Sequence, residues 1–104
     1  MSIKHITFDA YGYIAGTSIT NLYQTVVTMT DDADFLFVFN TTDKALIMRV
    51  PSGTASTREV RLPAGANFSL DCRTNSKRLA KGLIEIKYAS DVPTSGEFCI
   101  TVAR

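Results

Sequence analysis

The chain has 104 residues, 45% of them hydrophobic and 20% charged, and eleven Lys and Arg against ten Asp and Glu leave a net charge of +1. That length is one domain, 1–104; the apolar share argues against intrinsic disorder, and near-neutrality removes the electrostatic drive of non-specific nucleic-acid binding. One His and two Cys fall short of the four ligands a structural zinc site takes.

Met1 to Asp9 holds no apolar stretch, so no secretory signal is expected and synthesis is expected in a cytoplasm. The segment 1–18 carries Tyr11, Gly12, Tyr13 and Gly16. Its strand character is weak outside 3–9, so it reads either as an arm that orders on a partner or as an edge strand with a loop. Further strands are expected at 21–30, 34–40, 44–50, 57–62, 66–72, 83–89 and 96–103. Thr, Val, Ile and Phe dominate them, and such residues favour strands. Turn residues recur between them about every ten residues, which is the spacing of an all-β sandwich or barrel. The expected fold is therefore an antiparallel β-sandwich, jelly-roll-like, with about eight strands. The one helical candidate is 75–81.

Alternation assigns faces. Leu46, Met48 and Val50 oppose Ile47 and Arg49; Ile84, Ile86 and Tyr88 oppose Glu85 and Lys87; Phe98, Ile100 and Val102 oppose Glu97, Cys99 and Thr101. Inward apolar and outward polar positions suit sheets with one wet face. The strand 34–40 breaks that pattern, with Phe35, Phe37 and Phe39 on one side and Leu36 and Val38 on the other. Either a loop or the N-terminal segment covers its second face, or that face is a subunit contact. The longest apolar run, Phe35 to Phe39, is far short of the roughly 20 residues of a membrane span.

Cys72 shares a face with Phe68 and Leu70, whereas Cys99 lies opposite Phe98 and Ile100. Two free thiols are therefore expected. His5 stands alone, with no catalytic order around it. Asp31, Asp32 and Asp34 crowd one turn without the glycine and distal glutamate of a calcium loop. They read as a solvated turn. Arg73, Lys77, Arg78 and Lys81 form the basic cluster. They read as a solvated loop or a contact for an acidic protein surface; no interleaved aromatic favours nucleic acid. The acidic turn and basic loop would complement each other between copies packed head-to-tail. Tyr11 and Tyr13 read as packing or interface residues, with a glycan platform as the alternative. The N-x-[ST] sequons at Asn40 and Asn67 are expected to be unused without secretion. Neither a glycine-rich phosphate loop nor a carboxylate pair stands out. No enzyme and no cofactor are expected.

Three pieces of the stretch from Phe35 to Arg104, about two-thirds of the chain, resemble a known family. They are Phe37–Asp43 leading into Ala45–Met48, the strand-turn-strand unit Glu59–Phe68 around Pro63-Ala64-Gly65, and Pro93-Thr94-Ser95-Gly96 before a last strand. Together they resemble small all-β accessory proteins of tailed bacteriophage particles: head-decoration (cement), neck or tail proteins. The resemblance implies a non-catalytic virion protein, a homo-oligomer, bound to capsid, neck or tail subunits. Phe35, Phe37 and Phe39, or Leu36 and Val38, would then be anchors inside a polar rim.

Overall fold

The computed structural model describes residues 8–51, 57–71 and 80–104. Eight strands run β1 Phe8–Ala15, β2 Gln24–Met29, β3 Phe35–Asn40, β4 Leu46–Pro51, β5 Thr57–Leu62, β6 Asn67–Asp71, β7 Gly82–Tyr88 and β8 Glu97–Ala103. They form two antiparallel sheets, ordered β1-β8-β3-β6 and β2-β7-β4-β5. The pairs 1–8, 2–7, 3–6 and 4–5 are those of one long hairpin folded over on itself. Only the β4–β5 link stays within a sheet; every other link crosses between sheets. This is jelly-roll topology.

Seven expected strands lie within a few residues of their observed bounds. The first does not: a strand was expected at 3–9, and β1 runs Phe8–Ala15 through the glycine-bearing stretch. Gly12 explains the difference. It faces β2, and a Cβ there would come within 2.4 Å of Val27 Cγ2 and 2.6 Å of Val26 Cγ1. The glycine thus marks where the two sheets approach at one corner, rather than a weak strand. A short 3-10 turn, Gly16–Ser18, follows. Part of the expected arm is therefore the edge strand of the chain's own sheet; residues 1–7, with His5, lie outside the described residues. So do most of the helical candidate 75–81, Cys72, Arg73, Lys77 and Arg78, while Ala80 and Lys81 are not helical.

The core fills the space between the sheets. Leu36, Val38, Phe98, Ile100 and Val102 enter from one side, and Val27, Met29, Leu46, Met48, Leu62, Ile84 and Ile86 from the other. Each large side chain so buried contributes about 1.5–3 kcal/mol. Leu36 and Val38 are thus core residues, which corrects their expected part in an external contact. The turn Pro63–Ala66 closes with a 3.0 Å bond from Ala66 N to Pro63 O. Gly65 takes φ +77° there, as the third residue of a type II turn must.

At one end of the sandwich, two loops distant in sequence are locked together. Asp43 Oδ1 accepts the backbone N–H of Thr94 at 2.8 Å, and its Oδ2 accepts the Thr94 hydroxyl. These bonds hold the Asp43 carboxyl below its usual range, the Thr94 hydroxyl contributing most. A depressed carboxylate stabilises the fold above the unfolded value, and that contribution is lost as pH falls through the folded value. The melting temperature should accordingly fall on acidification below about pH 4, with a shallower acid slope in Asp43→Asn. Thermal melts across pH check this; an unchanged slope would remove Asp43 from the account.

Candidate interaction face

The outward surfaces of the two sheets differ in kind. On the second sheet the register sets Thr25 beside Glu85, Glu85 beside Arg49, and Arg49 beside Glu59. Arg49 donates from Nε at 3.0 Å and Nη2 at 2.8 Å to Glu85 Oε1. Tyr23, just before β2, lies across this row and its hydroxyl donates to Glu59 on β5. Its ring carries the Arg49 guanidinium at 3.9 Å and the Lys87 ammonium at 4.7 Å. Aromatic faces attract cations at such distances. The middle of the second sheet's outer face is therefore occupied by its own charges, with Leu83 of β7 exposed at one end, and one tyrosine clasps the β2 side to the β5 side.

Burial, helped by the bond to Glu59, pushes the Tyr23 phenol up to about 12. The folded state favours the neutral phenol, so its contribution is intact below about pH 10 and is lost as pH rises towards the folded value. An alkaline ultraviolet titration should show one of the four tyrosines ionising near pH 12, and that component should vanish in Tyr23→Phe. Its persistence in the variant would assign it elsewhere.

The first sheet presents the opposite surface. Its outward positions form rows across β1, β8, β3 and β6. One row is Tyr13, Cys99, Phe39, Asn67; the next is Tyr11, Thr101, Phe37, Ser69; a third holds Ala103, Phe35 and Asp71. Tyr11 is 64% exposed, Tyr13 54% and Phe39 45%. Phe37 is half-buried and stacks on Phe35 with ring centroids 6.5 Å apart. Phe35 itself is buried. The phenylalanine ladder of β3 is thus covered at one end and open at the other, and the open end joins the tyrosines of β1.

Cys99 lies in the middle of this face, partly exposed, as the alternation expects. Its thiol donates to Glu97 Oε1 at 3.4 Å. Burial pushes it above the ordinary thiol value, with Glu97 adding and the Tyr11 hydrogen bond opposing. Such a thiol stays protonated and is a weak nucleophile. The Tyr11 phenol is raised in turn, first by that same hydrogen bond.

The acidic turn lies elsewhere. Asp31 Oδ2 is 3.6 Å from Arg104 Nη1, and Asp32 Oδ1 accepts the Lys81 N–H at 2.9 Å. The turn therefore meets the end of the expected basic cluster within one chain. Asp34 is buried, which corrects its place in a solvated turn. A cleft of about 270 Å³ opens between the β1–β8 and β2 edges, with Met29 and Val102 in its wall and Asp31 and Arg104 at one end. Among the described residues no group of three or more His, Cys, Asp or Glu is placed to hold a metal ion.

Sequence reasoning singled out Tyr11, Tyr13 and Phe39 for contact, and the structure brings them onto one surface. It did not find the Tyr23 clasp. Tyr23 sits at a strand entrance, and its partner Glu59 is 36 residues away.

The molecule thus belongs to the eight-stranded jelly-roll sandwiches, with one charged and one aromatic outer face. No protein-family profile matches the chain, and no curated protein matches it. Among solved structures it is similar to one described as "Bacillus endospore appendages form a novel family of disulfide-linked pili". The TM-score is 0.54 at 14% identity, over 98% of this chain and 89% of that one. At that identity the likeness speaks for the fold alone.

Proposed function

We propose that this chain is a non-catalytic structural subunit that joins a larger protein assembly through the outer face of its first sheet. The observation that carries the reading is the exposure of Tyr11, Tyr13 and Phe39 together on one face, while the middle of the other sheet's face is taken up by the Arg49–Glu85 ion pair. Exposed aromatics grouped in this way mark a contact surface. The finer reading is an accessory protein of a tailed-phage particle, at head, neck or tail, made in the host cytoplasm and carried in the virion. The turn and strand units of 37–68 and 93–96 support it. The similar solved structure is of an appendage described as a pilus, and a jelly roll used as a repeating building block agrees with a structural role.

A second reading has its own observation. Tyr11 and Tyr13 are the two most exposed aromatic residues described and stand on one side of an edge strand, as a sugar-stacking platform would. The discriminating experiment is fractionation of the native source followed by a sugar screen. The assembly reading expects the protein in a high-mass particle fraction and no saturable sugar binding. A free monomer with a sugar-dependent thermal shift, lost in Tyr11→Ala, would overturn it in favour of the glycan reading.

A further inference from the structure

We propose that the outer face of the first sheet pairs with the same face of a second copy of this chain, about a two-fold axis parallel to the strands between β8 and β3. The proposal rests on the reading of this face as an assembly surface and names its partner.

The argument is one of relief. Across the sheet, the outward side chains alternate by strand between large and small. β1 carries Tyr11 and Tyr13; β8 carries Cys99, Thr101 and Ala103; β3 carries Phe35, Phe37 and Phe39; β6 carries Asn67, Ser69 and Asp71. Neighbouring strands are about 4.8 Å apart, so two aromatic ridges stand roughly 10 Å apart with a groove between them and a shelf beyond. Symmetric dimers use self-complementary patches. A two-fold axis along the strands, midway between β8 and β3, sets β3 of one copy over β8 of the other and β1 over β6. Every ridge then meets a low column. A two-fold axis across the strands would instead set each ridge on its own counterpart and leave the grooves empty, which close packing disfavours.

The strand-parallel axis also preserves the rows. Phe39 of one copy faces Cys99 of the other, a sulfur–aromatic contact. Phe37 faces Thr101. The Tyr13 and Tyr11 columns face Asn67 and Ser69, whose polar side chains suit phenol hydroxyls. No like charges oppose each other in these two central rows. Twisted sheets stack in this aligned manner with a small rotation between them.

Four strands and the two uncovered rows make a face of roughly 250 Å² in projection per copy. Specific complexes bury about 1,200–2,000 Å² in total. The pairing falls below that range, so a weak, concentration-dependent dimer is expected rather than a permanent one.

Sedimentation equilibrium of the full chain tests this. The expected result is a monomer–dimer equilibrium whose association weakens at least tenfold in Phe39→Glu and in Tyr13→Glu, but less than twofold in Arg61→Glu on the other sheet. Circular dichroism and melting confirm that the variants fold. The axis is tested by oxidative cross-linking with Cys72 and Cys99 changed to serine. Tyr13 and Asn67 lie on strands three spacings apart, roughly 14 Å, beyond the reach of a disulfide within one chain. Tyr13→Cys with Asn67→Cys should give a covalent dimer, and Tyr13→Cys alone should not. Equal cross-linking by the single variant, or none by the double, overturns the proposal. Wild type that stays monomeric at all concentrations also overturns it. If Phe39→Glu then still fails to enter the native particle, the assembly reading survives with a different partner on this face. A dimer of the expected kind that is absent from any particle would uphold the pairing and sink the assembly reading.

Discussion

Gly96→Ala should lower stability by about 3 kcal/mol or more, a large part of the 5–15 kcal/mol of a typical domain. Gly96 has φ +79°, where a side chain is already strained. A Cβ there would sit 2.1 Å from Thr41 O and 2.6 Å from Thr41 C. Those atoms are backbone, so no rotamer change relieves the clash. They are also held in place. Thr41 N donates to Glu97 O at 2.9 Å, and Glu97 N donates to Thr41 Oγ1 at 3.0 Å. The alanine must push the β3–β4 turn off the start of β8 and break this exchange. At about 4–8 °C per kcal/mol for a domain near this size, the melting temperature should fall by roughly 15 °C or more. Calorimetry checks it; a shift of a few degrees would mean that the two loops are not locked.

The second large effect is expected at Asn40. Its side chain is fully buried between the sheets, yet every polar atom is served. Nδ2 lies 3.1 Å from Lys44 O, 3.1 Å from Leu62 O and 3.0 Å from Pro63 O. Oδ1 accepts Thr42 N at 3.0 Å and Thr42 Oγ1 at 2.6 Å. One amide thus ties β3 in the first sheet to the end of β5 in the second. Asn40→Leu keeps the approximate volume and strips the bonds. Each buried group left unsatisfied costs about 1–3 kcal/mol, so a loss of about 3–5 kcal/mol is expected in chemical denaturation. A loss below about 1 kcal/mol would show that water replaces the amide without penalty. The same burial leaves the Asn40 amide no contact with solvent in the folded chain.

Both positions show where the sequence was legible and where it was not. Asn40 and Gly96 stand at the ends of the expected strands 34–40 and 96–103, and the structure has Asn40 closing β3 and Gly96 just before β8, each beside a turn. What local reading could not supply is that the two turns touch, because the contact joins residues about 56 apart. The same limit hid the topology. Alternation places Ile84, Ile86, Phe98, Ile100 and Val102 inside without knowledge of any partner strand. Pairing β1 with β8 spans nearly the whole chain, and no periodicity encodes it. Gly12 misled for a related reason: only the approach of Val26 and Val27 from β2 explains a glycine there. In β3 both faces are apolar, so pattern alone could not separate the core side, Leu36 and Val38, from the outer side, Phe35, Phe37 and Phe39. On the first sheet's outer face, Cys99 was readable from alternation, whereas Tyr11 and Tyr13 stood out only as aromatics beyond the strand expected at 3–9. That they share one surface with Phe39 follows only from the register.

The two outer faces make the functional account specific. On the second sheet's outer face Tyr23, Arg49, Glu59 and Glu85 engage one another, and Leu83 is the one large apolar side chain left exposed among its described residues. The first sheet's outer face, of alternating ridges and grooves, leaves Tyr11, Tyr13 and Phe39 exposed together. The most direct measurement is electron microscopy of the protein in its native particle, resolved well enough to tell the two sheets apart. The account predicts the β1-β8-β3-β6 face covered by another subunit, with Phe39 at the contact and the Tyr23 face towards solvent. A particle that holds the chain through the Tyr23 face and leaves Tyr11, Tyr13 and Phe39 open to water would contradict it.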